Sequence, residues 1–402
     1  MVEFNDRAHP FNALPMRTAI ATFWPPTEDR LRFMAQLGIQ DGLLWATTFP
    51  TPEAVNFKEL VRIRHLYEEH GIRLFALESV SAHFYDKIVL GKDGRDEQIE
   101  AYKRIIQACG RAGIPVLGYN WMINGVWRST YSRPVRGGAR ATAFDYAQMR
   151  DAPLIADRDY SEEEFWDNYE YFIRRVLPAA EAEGVKLAIH PSDPPVPKLG
   201  GLPCLMRSPE NLERAMAIQP SDAHGLTFCL GNWGAMGVDL THWIRKLGPA
   251  GKLLYVHFQA TRGCVPNFTE SFIDDADYDP IELIKVLDEV GFNGVMIPGH
   301  VPQIDMDEEW RTELSSAKTP YRHPMGGFAA RAFTIGYLKA TIAAVRAARE
   351  GRLGPDIEAA QTPAGSPFPN RACRCVVTDA EGDRLAAYPC NGPLACAERG
   401  LA

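Results

Sequence analysis

Four residues able to ligate a metal or move a proton stand where short apolar runs stop: His190 after KLAI, Cys229 after GLTF, His257 after LLYV and His300 after VMIPG. Two imidazoles and a thiolate make a competent donor set for a divalent transition metal, whose catalytic sites keep one position open to substrate. An imidazole titrating near neutrality can also act as acid or base. Singly, each residue has a plainer reading, since a histidine at a strand end is often only hydrogen-bonded and a buried cysteine is usually a small hydrophobe. Together they read as one site, provided the apolar runs are parallel strands ending on a common rim.

The fullest instance is VKLAIHPSDPP, Val185 to Pro195, an aliphatic strand that reaches His190 and is then stopped by prolines. Similar runs follow glycines that can end a helix, at Gly38, Gly71, Gly113, Gly184, Gly225, Gly251 and Gly291, and MRTAIATFW at Met16 to Trp24 adds an eighth strand. Amphipathic segments alternate with them: Glu28 to Leu37, Asn56 to His70, Arg95 to Ala112, Glu162 to Glu183, Pro209 to Ile218, Asp239 to Lys246, Pro280 to Val290 and Arg331 to Arg349. Thr27 and Ser161, each followed by acids, read as N-caps. This alternation predicts a (β/α)8 TIM barrel over residues 1–350. No GxGxxG loop follows the first strand to favour a doubly wound sheet. Two long connections, Trp121 to Tyr160 and Thr261 to Asp279, should stand at the mouth.

The chain has 402 residues, 46% hydrophobic and 23% charged, which supplies a sizeable core. A net charge of −8 argues against a nucleic-acid partner. No run of about 18 apolar residues predicts a membrane span, and the first residues lack a signal-peptide pattern, so a cytoplasmic protein is expected. The eight cysteines do not indicate a disulfide scaffold. Four of them, Cys373, Cys375, Cys390 and Cys396, lie in a Pro-, Gly- and Ala-rich tail over 351–402, expected to be a loosely ordered appendage, with spacing unlike that of zinc sites. His65, His70, His224 and His242 fall in helices or ahead of strands and read as surface or core.

Several segments, in order, resemble the mannonate dehydratases, metal-dependent hydro-lyases of hexuronate catabolism. His190 to Pro195 with GGLPCLMRS is similar to that family's HPDDPP and GLPR segments; LESV at Leu77 to Val80, YNWM at Tyr119 to Met122, TFCLGNWG at Thr227 to Gly234 and VHF at Val256 to Phe258 follow the same pattern. The likeness covers Met16 to about Val345. It implies a barrel, a sugar-acid substrate, a homo-oligomer and a bound divalent metal, manganese or else iron. Its metal ligands are a His, a Cys, a second His and an Asp, of which the first three carry over to His190, Cys229 and His257. The fourth position is Gly299, a neighbouring Arg is Ile297, a second Arg is Gln259 and a later His is Ile273. His300 keeps the place of a catalytic histidine, whereas the family's catalytic tyrosine aligns with Ala332, with Tyr321 and Tyr337 nearby.

The implied reaction removes a C2 proton α to a carboxylate and expels the C3 hydroxyl as water. His300 and Glu78 are the expected catalytic groups, and Asn120, Arg128, Asp193 and Gln259 the expected substrate contacts, with Arg128 or Arg133 standing in for a lost carboxylate clamp. Glu78 or His300 could instead complete the metal shell in place of the missing Asp. Two other functions remain open: a sugar isomerase or epimerase on the same kind of barrel, and a homologue that binds ligand without turning it over.

Overall fold

A computed structural model describes residues 14–309 and 325–352, and the backbone of Cys373–Thr378 and Arg384–Cys390. Eight parallel strands form the core: β1 (Arg17–Thr18 continuing as Ile20–Phe23), β2 (Asp41–Ala46), β3 (Arg73–Val80), β4 (Val116–Asn120), β5 (Lys186–His190), β6 (His224–Cys229), β7 (Leu253–His257) and β8 (Val295–Ile297). The start of β1 pairs with β8 and its continuation pairs with β2, so the parallel sheet closes on itself. This is the expected TIM barrel.

Eight principal helices alternate with the strands: α1 (Glu28–Gln36), α2 (Phe57–Glu69), α3 (Arg95–Arg111), α4 (Glu162–Glu183), α5 (Pro209–Ala217), α6 (Leu240–Leu247), α7 (Pro280–Glu289) and α8 (Phe328–Arg349). Ser161 caps α4 in a complete capping box with Glu164, which satisfies free amides at the positive end of the helix. Thr27 occupies the cap of α1 but makes no side-chain bond there. Six of the seven junction glycines, Gly38, Gly71, Gly113, Gly184, Gly251 and Gly291, have φ between 66° and 74°, the left-handed turn that a β-carbon disfavours. The exception is Gly225, which lies inside β6, where a β-carbon would meet the Lys252 carbonyl at 2.8 Å.

Helix α8 is the one described helix long and apolar enough to cross a membrane by length and composition, yet Ile335, Leu338 and Ile342 on it are buried in the barrel core. In the tail, Cys373–Thr378 and Arg384–Cys390 form an antiparallel hairpin with Cys373 opposite Cys390; the rest of the expectation for 351–402 lies outside the described residues.

The two long connections do not form separate loops. Thr130–Pro134 and Arg140–Asp145 from the first join Ala260–Cys264 and Asn267–Ser271 from the second in one four-stranded antiparallel sheet. A second small core, including Trp127, Phe144, Val196 and Phe268, packs beneath it. Each strand alone would be marginal, and pairing across the mouth satisfies their backbone groups jointly.

His224, the first residue of β6, is a core residue. Its Nε2 lies 2.7 Å from the Tyr119 hydroxyl, which in turn lies 2.9 Å from that of Tyr169. Burial, with Lys252 adding, pushes its imidazole down to about 3. An unfolded histidine titrates near 6.5, so below that pH the unfolded chain takes up a proton that folded His224 refuses. Stability is therefore complete above about pH 6.5 and falls on acidification, by about 1.4 kcal/mol per pH unit from this one ring. Urea titrations between pH 7 and 4.5 should show a shallower loss for His224→Gln than for the parent. Equal slopes would refute the assignment.

Candidate active site

His190, Cys229 and His257 are the last residues of β5, β6 and β7, and Cys229 stands opposite His257 in the ladder. One donor atom from each lies within 4.8 Å of the others. The two imidazole rings sit 5.1 Å apart, inclined at 48°. His190 Nδ1 donates to the Pro191 carbonyl at 2.7 Å, which leaves Nε2 as the basic nitrogen. Burial, with the His257 charge adding, pushes His190 down to about 4, so it presents the neutral form that binds metals. Burial raises the Cys229 thiol, which makes a thiolate costly there without a cation beside it.

Glu78, near the end of β3, lies against this trio. Its Oε1 is 3.1 Å from His257 Nε2, yet that nitrogen has no partner in hydrogen-bonding geometry among the described residues, and neither does Glu78 Oε2. Burial alone would raise the Glu78 carboxyl, but His257 and then His190 outweigh it and hold it below the usual carboxylate value. Buried polar atoms are nearly always bonded, so two adjacent orphans beside a thiol and a second imidazole fit a cation site. These residues suit a divalent metal.

Beside the trio runs a buried ionic chain. Arg128 donates to both oxygens of Asp193 at 2.6 and 3.0 Å, and to Glu270 Oε1 at 2.6 and 3.2 Å. It also donates to Thr142 Oγ1 and to the Trp127 carbonyl. Glu270 Oε1 accepts from Gln259 Nε2 at 3.2 Å and lies 2.8 Å from His300 Nδ1. Arg128, Asp193, Glu270 and Gln259 are all buried. Three of the residues expected to contact substrate bond one another or the protein here: the Arg128 guanidinium clamps two protein carboxylates, Asp193 is held by it through both oxygens, and Gln259 faces Glu270 and Cys229. Asn120 ends β4, half-buried and in register with His190.

His300 pairs with Glu270 and not with Glu78, which lies against His257. Burial pushes its imidazole well below the ordinary value, and the Arg128 charge pushes the same way. With Nδ1–H given to Glu270, Nε2 is the basic nitrogen. Glu270 was missed from the sequence; the available signal was period-two alternation in NFTES, which puts the acid on the buried face shared with Phe268. Arg331, in the first turn of α8, was missed too. It donates to the carbonyls of Pro298, Gly299 and Met325 and so fixes the segment carrying His300.

A β-carbon on Gly299 would come within 2.9 Å of Gln259 Oε1, so Gln259 fills the space a side chain at 299 would need. Ile297 is buried in β8. Ala332 is half-buried in α8, Tyr337 lies beside the exposed ring of Phe333, and Tyr321 is outside the described residues.

Residues 16–156 and 152–349 match the family model for D-mannonate dehydratase (UxuA). Mannonate dehydratase 2 of Halalkalibacterium halodurans is 29% identical over 314 residues, which is 71% of this chain and 90% of that protein. The mannonate dehydratase of Streptococcus equi subsp. zooepidemicus is 30% identical over 289 residues, 64% of this chain and 78% of the relative. The crystal structure of mannonate dehydratase from Streptococcus suis serotype 2 aligns with a TM-score of 0.73 at 26% identity, covering 83% of this chain and 96% of that one. D-psicose 3-epimerase from Clostridium cellulolyticum H10, at a TM-score of 0.53 and 12% identity, shares the fold alone. The family match spans the barrel from its first strand to its last helix, and the chain belongs to the D-mannonate dehydratase family.

Proposed function

We propose that this chain is a hydro-lyase that dehydrates a sugar acid of the mannonate type, giving water and a 2-keto-3-deoxy acid. The observation that carries the reading is the buried trio of His190, Cys229 and His257, with neutral His300 at the same mouth, on a barrel of this family. The cation would be Mn2+, with Fe2+ as the alternative. When bound, it supplies Lewis-acid polarisation of the substrate carboxylate, which acidifies the adjacent C–H bond.

His300 takes the C2 proton on Nε2. Glu270 accepts from Nδ1, orients the ring and stabilises the imidazolium as it forms. Arg128 holds Glu270 in place and, through Asp193, ties it to the segment after β5. The protonated imidazole then gives its proton to the departing C3 hydroxyl, since Ala332 offers no hydroxyl group for the task. Water leaves, a C2–C3 double bond forms, and the resulting enol becomes the 2-keto acid. Asn120, at the rim beside His190, is positioned to contact a substrate hydroxyl. The protein would act in the cytoplasm, as a homo-oligomer.

The epimerase reading draws on likeness of fold only. A lapsed, binding-only chain is not favoured, because both the donor trio and the His300–Glu270 pair are intact. The assay is release of a 2-keto-3-deoxy acid from D-mannonate by protein loaded with Mn2+ or Fe2+. No product with either metal would remove the substrate assignment. Cys229→Ser and His257→Ala should each lose most bound metal by elemental analysis; full metal content in both would show that the donors are misidentified.

A further inference from the structure

We propose that Glu78 is the fourth protein donor to the cation held by His190, Cys229 and His257, an assignment that rests on the metal reading above. Three observations converge on it. Glu78 Oε1 and His257 Nε2 stand 3.1 Å apart without hydrogen-bond geometry. Two donors held about 2.1 Å from one ion lie at most about 4.2 Å apart, so Glu78 and His257 can share one. No Glu78 oxygen joins the set of His190, Cys229 and His257 atoms that lie within 4.8 Å of one another, so the carboxylate must draw in toward that set when the ion binds.

The second observation is the orphan. Glu78 is 4% exposed and its Oε2 meets no partner in hydrogen-bonding geometry among the described residues, with the Tyr255 hydroxyl beside the carboxylate, so one carboxylate oxygen is left for an ion. The third is charge. A buried divalent cation on two neutral imidazoles and one thiolate keeps a net charge of +1, which burial penalises; one carboxylate removes it.

Of the rival donors, Gln259, whose Oε1 lies 3.8 Å from Cys229 Sγ, brings no charge, and His300, whose Nδ1 is paired to Glu270 at 2.8 Å, is the proton carrier of the proposed reaction. Ser79, directly after Glu78, has φ 50° in the left-handed region, a conformation a serine seldom adopts, at the point where β3 delivers Glu78.

The test measures affinity for Mn2+ and Co2+ by competition with a chelator, without any sugar acid. Outer-shell partners typically change metal affinity by about 10- to 100-fold, so loss of a ligand should exceed that range. Glu78→Leu is expected to weaken binding by more than about 100-fold. In case that variant folds poorly, Glu78→Gln keeps the shape. Its Co2+ complex should retain the sulfur-to-cobalt absorption from Cys229 while its d–d bands shift. A Leu variant within about 100-fold of the parent, or unaltered d–d bands in the Gln variant, would overturn the assignment. A parent chain that takes up no divalent metal would overturn it together with the metal reading. Because turnover is not the readout, failure on every sugar acid would count against the reaction, whereas retained affinity counts against Glu78.

Discussion

Replacing Arg128 with methionine is expected to cost about 3–5 kcal/mol of folding stability, the usual result of breaking a buried ion pair from one side. The guanidinium is 1% exposed and lies between Asp193 and Glu270, so its loss leaves two carboxylates facing each other in a dry interior. Urea unfolding at pH 7 measures this directly. The triple variant Arg128→Met, Asp193→Leu, Glu270→Met should recover much of the loss, because apolar groups of similar volume often replace a buried ionic cluster at little cost. It should nevertheless remain inactive, since Glu270 would no longer orient His300. A penalty below about 1 kcal/mol for Arg128→Met would mean the chain of charges is not desolvated as described.

The second large effect concerns catalysis. His300→Ala should lower kcat by about 10²–10⁴-fold, the range for removal of one positioned proton-transfer group, while metal content stays at the parent level. Burial holds the imidazole neutral, so in the parent the acid limb of the pH–rate profile should lie below the ordinary histidine value of 6.5 and be absent from the variant. Glu270→Gln should reduce kcat with a smaller effect on KM, because Glu270 touches His300 and not the substrate. If His300→Ala turns over at the parent rate, the proton is moved by another group.

The barrel and the convergence of His190, Cys229 and His257 on one rim were legible in the sequence for a local reason. Glycines at helix ends and the period of each apolar run are short-range signals, and a parallel barrel carries the ends of its strands to one rim. Arg128 was legible as a residue but not in its role. A guanidinium that binds a substrate carboxylate and one that binds a protein carboxylate look alike in sequence, and the deciding partner, Glu270, lies 142 positions away. The four-stranded sheet escaped notice because its pairing joins segments more than a hundred residues apart, which no local period encodes.

That sheet constrains how the enzyme can be re-engineered. Residues Thr130–Pro134 and Arg140–Asp145 form one half and Ala260–Cys264 and Asn267–Ser271 the other, with Arg128 and Glu270 bonded across the division. Transplanting one insertion from a relative would strand a charge and leave an edge unzipped. The two insertions behave as a single cassette, and chimaeras meant to change substrate preference should exchange both together.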